Sequence, residues 1–213
     1  MRSNHPPLIL ASGSPRRREL LRYLGIPYQV EPSHIDESPI PGMTPAELVC
    51  TLALAKAREV AGRRPGAVVI GADTLVDLDG QALAKPRDPE DALRMLRLLA
   101  GRAHHVHTGV AVCRADQIRS RVVSATVHMR RSSDAVLAAY VAGGEPMDKA
   151  GAYAAQGEGA VLIDRVEGSF LTVVGLPLLA LRDLLLEAGL SSPVDPTTIE
   201  AIEYGEPPGR CDL

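Results

Sequence analysis

Ser12, Gly13, Ser14, Pro15, Arg16, Arg17 and Arg18 follow directly on the short apolar run Leu8 to Ala11, and Leu20, Leu21 and Leu24 recur behind them at helical spacing. The pattern reads as strand, tight turn and helix, with Ser14 as N-cap and Pro15 at the first helical position, where a missing N–H costs nothing. A helix start already carries partial positive charge on its unpaired N–H groups, so each arginine placed there costs about 0.3–1 kcal/mol unless something compensates. A polyanion lying against the serine hydroxyls, the open amides and the guanidiniums would do so. A solvated basic helix face is the competing reading. The spacing matches neither GxxxxGK[ST] nor GxGxxG, so this is no standard phosphate loop.

Asp73 interrupts the β-branched run Val68 to Val76, which reads as a strand buried on both faces. An ionised carboxylate there needs a partner, because burying it alone costs several kcal/mol. Asp79-Gly80 is a two-residue hairpin turn, so Leu78 faces Gln81, and counting outward sets Thr74 opposite Lys85 with Asp73 beside it. Lys85 is therefore the expected partner of Asp73, as a structural ion pair or as part of a site, and Pro86 ends the pairing. Further charge comes from Asp36 and Glu37 in a Pro-flanked loop, Lys56 on a helix expected over Glu47 to Ala61, and Asp148 with Lys149. The run Lys149 to Gly159 combines small residues with Tyr153 and Gln156, which calls for tight packing or a ligand. His105 and His107 share a strand face, but neither cysteine nor carboxylate lies near them in sequence, which argues against a metal centre.

The elements that must position these groups follow from the apolar pattern. Helices are expected after Asp88-Pro89, over Asp134 to Val141, and from Pro177 to Gly189; strands over Val106 to Val112, Arg121 to Val127, Val161 to Val166 and Leu171 to Val174. Strands and helices alternate without strict βαβ regularity, which favours an α/β fold with a mixed central sheet flanked by helices. A single domain over residues 1–190 and a polar, Pro-rich tail over 191–213 are expected.

Composition narrows the function classes. Lys and Arg total 23 against 26 Asp and Glu, a net charge of -3, which excludes nucleic-acid binding driven by bulk charge. Aromatics are 3% with no Trp, so base-stacking platforms are poorly supplied. Three cysteines without CxxC spacing suit a reducing cytoplasm, and no apolar run approaches a bilayer span or a signal h-region.

Five segments together resemble the Maf family of nucleoside triphosphate pyrophosphatases: Leu10 to Arg17, Gly71 to Thr74, Lys85-Pro86, Glu145 to Tyr153 with Gln156-Gly157, and Val173 to Pro177. The resemblance, spanning residues 8 to about 187 in family order, implies a mixed sheet with two lobes around a deep cleft, like that of inosine triphosphatases. It also implies hydrolysis of a nucleoside triphosphate to the monophosphate and pyrophosphate with Mg2+ or Mn2+. Carried onto this sequence, Asp73 would accept a proton and, with Glu37, face the metal; Ser12, Arg16, Arg17, Lys56 and Lys85 would line the phosphate path. Arg16, Thr74 and Gln156 would separate substrate classes, and the Ala-Tyr-x-x-Gln-Gly pattern is similar to the branch acting on dTTP and UTP. Tyr153 and backbone groups in the Ala150 to Gly159 turn are the candidates expected to lock the orientation of the Gln156 amide. Phe170 stands where that family more commonly has Tyr. The resemblance also suggests a homodimer. A modified purine triphosphate such as 7-methyl-GTP as substrate, or a nucleotide-binding regulator of cell division, are the alternatives.

Overall fold

The structure is a computed structural model that describes residues 6–204. Strand β1 (Leu8–Leu10) leads into helix α1 (Pro15–Arg22), whose cap is the expected one: the Ser14 hydroxyl accepts from Arg17 N–H. After β2 (Tyr28–Val30), helix α2 (Pro45–Arg63) begins on a reciprocal cap in which Thr44 and Glu47 each bond the other's backbone N–H. Strand β3 (Val68–Leu78) turns at Asp79-Gly80 into the short β4 (Gln81–Leu83), and α3 (Pro89–Leu99) is capped by Asp88. The long hairpin of β5 (Ala103–Arg114) and β6 (Gln117–Met129) precedes α4 (Asp134–Ala142), three short 3-10 turns, and β7 (Ile163–Glu167). Helices α5 (Phe170–Val174), α6 (Leu178–Glu187) and α7 (Pro196–Tyr204) close the described chain.

These strands form one seven-stranded mixed sheet in the order β2-β1-β3-β5-β6-β7, with β4 also on β3. β1 runs parallel to β2 and β3, whereas every other pairing is antiparallel. The expected α/β architecture with a mixed sheet flanked by helices is therefore the one present. One edge of β3 is paired with β5 almost throughout, from Val68 to Asp77. Its other edge is shared: β1 covers Val68 to Ile70, and β4 covers Val76 to Leu78. Gly71 to Leu75 lie in the gap between those two neighbours.

The apolar packing parts at the same place. On one face Val68, Ile70 and Ala72 join a core with α1, α5, α6 and Ile199 of α7; past Thr74, Val76 and Leu78 join a separate core with α3, α4 and Met129. On the opposite face Val69 packs with Ala53, Ala57 and Val60 of α2, and Leu75 with Leu48, Val49 and Leu52. α2 lies against the sheet at very short range because Gly71 and Gly109 face it. A Cβ on Gly71 would fall 2.1 Å from Ala53 O, and one on Gly109 would fall 2.4 Å from Val49 O.

Two expectations are corrected. Leu171 to Val174 form no strand: Ser169 caps the segment through Thr172 N–H, and Gly175, at φ 118°, ends it as a helical turn. Its β-branched residues misled the pattern, because burial among helices overrides strand propensity. Residues 191–204 are also no loose tail. Ile199 is fully buried, Ser192 donates to Leu24 O at 2.7 Å, and the buried Glu203 accepts from Ser169 Oγ and from Leu179 N–H, each at 2.7 Å. The last part of the expected tail, 205–213, lies outside the described residues.

Gly71→Ala should therefore force α2 away from β3 and lower stability by about 1–3 kcal/mol, or roughly 2–12 °C in Tm for a chain of this size. Differential scanning calorimetry checks this; an unchanged Tm would show that α2 yields without loss.

Candidate functional site

The gap along β3 opens into a cleft of about 570 Å3. Asp36, His105 and His107 do not line it, whereas all nine residues that the resemblance assigns to the site do: Ser12, Arg16, Arg17, Glu37, Lys56, Asp73, Thr74, Lys85 and Gln156. They arrive from six separate stretches of chain, and β3 holds the centre.

At that centre Asp73 Oδ1 accepts from Lys56 Nζ at 2.6 Å, with both side chains more than nine-tenths buried. The expected partner, Lys85, is not the one found. Counting from Leu78–Gln81 would put Lys85 across from Thr74, but the ladder stops at Val76–Leu83, and Lys85 is an exposed residue of the cleft wall. The hairpin register was legible; its length was not, because β4 leaves the edge of β3 where the cleft begins. Lys56 takes the role because the close contact of α2 with Gly71 brings the helix face against Asp73. Lys56 also bridges to Glu37 Oε1 at 3.0 Å, so one ammonium is shared by a buried carboxylate and a half-exposed one. Among the described residues Asp73 Oδ2 has no protein hydrogen bond.

Arg17 forms the second focus. Its Nε donates to Gly175 O at 2.9 Å, Nη1 to Ser12 Oγ at 3.3 Å and Nη2 to Thr74 Oγ1 at 3.0 Å. All three acceptors are neutral. Burial draws the guanidinium's pKa down from the ordinary arginine value, opposed by the carboxylates of Asp73 and Glu37. Thr74 Oγ1 meets Thr108 Oγ1 at 2.9 Å, and Thr108 donates to Thr172 O at 2.7 Å, so a hydroxyl chain ties the arginine to β5 and α5. Arg16, by contrast, is partly exposed, with only the Asp148 carboxylate near it at 3.8 Å; Asp148 is also bridged by Lys149.

The opposite wall comes from the stretch after α4. Gly151 N–H bonds Ala84 O at 3.1 Å, which joins this stretch to the end of β4. Tyr153, expected to hold the Gln156 amide, turns elsewhere: its hydroxyl lies 2.7 Å from His104 Nε2 in a fully buried contact. Burial holds the His104 ring neutral, with its pKa down at about 4. Gln156 itself is exposed to the cleft and makes no protein hydrogen bond among the described residues. His105 and His107 do share a face, where His107 contacts Asp77 Oδ2 at 3.2 Å and Ser124 Oγ at 2.7 Å. Phe170, the first residue of α5, packs against the core; Val173 and Val174 are the residues of that helix that reach the cleft.

Among the described residues no group of three or more His, Cys, Asp or Glu is arranged to hold a metal, and no helix is long and apolar enough to cross a membrane. Glu37 and Asp73 nonetheless converge on one cationic atom, and two carboxylates completed by ligand oxygens suit a hard divalent ion such as Mg2+.

Known proteins resemble this chain over most of its length. Proteins named dTTP/UTP pyrophosphatase from three organisms align along nearly their whole length. That of Moorella thermoacetica is 51% identical over 185 residues, covering 86% of this chain and 95% of its own. That of Symbiobacterium thermophilum is 49% identical over 182 residues, covering 85% and 94%. That of Anaeromyxobacter dehalogenans is 49% identical over 192 residues, covering 88% and 97%. The family model described as Maf-like protein matches residues 7–188, a span that runs from β1 through α6 and takes in every residue of the cleft, so the chain belongs to the Maf-like protein family.

Proposed function

We propose that this chain hydrolyses dTTP and UTP to the nucleoside monophosphate and pyrophosphate. The observation that carries the reading is the Arg17 guanidinium, bonded to three neutral acceptors beside a buried Lys56–Asp73 pair: positive charge is assembled on the cleft wall without a counter-anion in direct contact. A triphosphate supplies that anion. The names of relatives at 49–51% identity support the same chemistry and the same bases.

In this reading Ser12, Arg16, Arg17 and Lys85 bind the phosphates along the cleft, and Arg17, held by three hydrogen bonds that include Ser12, is in place before the reaction so that it needs little reorganisation as charge develops. Lys56 orients Asp73 through Oδ1 and leaves Oδ2 to take a proton from the attacking water. The water oxygen bonds to the α-phosphorus, the bond from that phosphorus to the α–β bridging oxygen breaks, and pyrophosphate leaves with the electron pair. Glu37 and Asp73 would hold a divalent cation, which when bound neutralises phosphate charge and polarises the reacting group. Gln156 reads the base, because its amide offers one donor and one acceptor in a plane, matching the N3 donor and O4 acceptor of uracil and thymine. A base with the wrong pattern leaves polar groups unpaired where the bound base covers them, at about 1–3 kcal/mol each.

Three outcomes are expected. Wild-type protein with Mg2+ and a panel of triphosphates should release pyrophosphate, not orthophosphate, with CTP and purine triphosphates at least about tenfold poorer in kcat/KM than dTTP and UTP. A preference for GTP or 7-methyl-GTP would overturn the pyrimidine assignment. Asp73→Asn should lower kcat by roughly 10²–10⁴, and activity within threefold of wild type would remove Asp73 as the proton acceptor. Pyrophosphate, but not thymidine, should raise the Tm of wild type by mass action. The double variant Arg16→Ala/Arg17→Ala should lose that increment, and its persistence would place the polyanion elsewhere.

A further inference from the structure

The turn that carries Gln156 is held from outside the cleft by two side chains that do not line it. Tyr140 of α4 donates its hydroxyl hydrogen to Glu145 Oε2 at 2.8 Å and accepts from Ala154 N–H at 3.0 Å. Glu145 receives two more donors, Glu158 N–H on Oε1 at 3.1 Å and Gly159 N–H on Oε2 at 2.8 Å. Peptide groups on both sides of Gln156, at 154 before it and at 158 and 159 after it, thus end on one tyrosine–carboxylate pair. Bonds from several donors to a single carboxylate are charge-assisted and stronger than neutral ones. They hold the Glu145 carboxyl below its ordinary pKa even though burial, the largest single influence, pushes it up.

The backbone of the turn is built around that carboxylate. Gly157 stands at φ 114°, ψ −151°, a region open in practice to glycine alone, and a Cβ there would fall 2.1 Å from Glu145 Oε1. The carboxylate fills the room left by the missing side chain. Among the described residues the Gln156 amide makes no protein hydrogen bond, and the hydroxyl of Tyr153 is committed to His104. The point from which the Gln156 side chain enters the cleft is therefore set by its backbone, and the peptide groups on either side of that backbone are held by Tyr140 and Glu145.

We infer that Glu145, braced by Tyr140, is a positioning residue for base selection: it fixes the peptide frame from which Gln156 meets the base. The inference rests on the reading of Gln156 as the base-reading residue. A carboxylate is needed because it only accepts hydrogen bonds, whereas a glutamine at 145 would turn an NH2 donor toward N–H donors.

The test compares Glu145→Gln, Tyr140→Phe and Gln156→Ala with wild type, using kcat and KM for dTTP, UTP and CTP, inhibition by pyrophosphate, and Tm. Glu145→Gln should reduce the preference for dTTP over CTP by about tenfold, with the loss in KM for dTTP more than in kcat. Pyrophosphate inhibition should stay within about twofold of wild type, since the phosphate wall is untouched; a general structural defect would weaken pyrophosphate as well. Tyr140→Phe should shift the preference in the same direction by less, and it carries the test if Glu145→Gln does not fold. If Gln156→Ala abolishes the preference while both clamp variants keep it, or if the clamp variants weaken dTTP, CTP and pyrophosphate equally, the positioning role is overturned. If Gln156→Ala itself keeps the preference, the base-reading assignment fails instead.

Discussion

A lysine and an aspartate that are both more than nine-tenths buried bind each other under compulsion. Taking either charge from water alone costs several kcal/mol, and the pair is tolerable only when geometry is good and other groups share the burden. Here Lys56 and Asp73 sit 2.6 Å apart, with Glu37 as a second acceptor for the ammonium. That requirement fixes the distance between α2 and β3. The fold meets it with Gly71 and Gly109, which let the helix backbone approach the sheet more closely than any side chain would allow. Helix, strand and charge pair are thus one constraint expressed at three levels.

The second organising feature is the divided edge of β3. With β5 pairing one side almost throughout, and β1 and β4 sharing the other, the strand is held along its length while Asp73, Thr74 and Leu75, within the stretch between β1 and β4, face the cleft. Chemistry is mounted on the stiffest element available, not on a mobile loop. Flanking segments bring the rest: the stretch into α1 and its first turn supply Ser12 and Arg17, and the turn after α4 supplies Gln156. Arg17 reaches across to Gly175 and Thr74, so the phosphate-facing charge is also a tie between distant parts of the chain.

Much of this was legible from the residues. Ser14-Pro15 announced α1, Asp88-Pro89 announced α3, and Asp79-Gly80 gave the β3–β4 register, because caps and two-residue turns are local and depend on few neighbours. The demand that Asp73 have a cationic partner was equally sound. The identity of that partner was not readable, since Lys56 reaches it through helix-on-sheet packing 17 residues away, and nothing in the hairpin count says where β4 departs. The turn of Phe170–Val174 and the docked α7 were hidden for a similar reason: β-branched residues and a polar composition describe preferences, and burial of Ile199 and Glu203 against the core decided the outcome. The cleft residues were singled out from their types and placing, and their roles came through family resemblance; how Glu145 braces Gln156 lay in peptide groups that no side-chain pattern displays.

β3 contributes side chains to all four apolar clusters, and Asp73 and Thr74 lie where those clusters divide. A site in that position cannot open while the rest of the molecule stays closed. Peripheral elements such as β2 can fray alone, but releasing β3 removes a shared wall from every cluster at once. Loss of the strand that bears the site and loss of the four clusters are therefore a single cooperative event: the site comes apart only when the cores around it do.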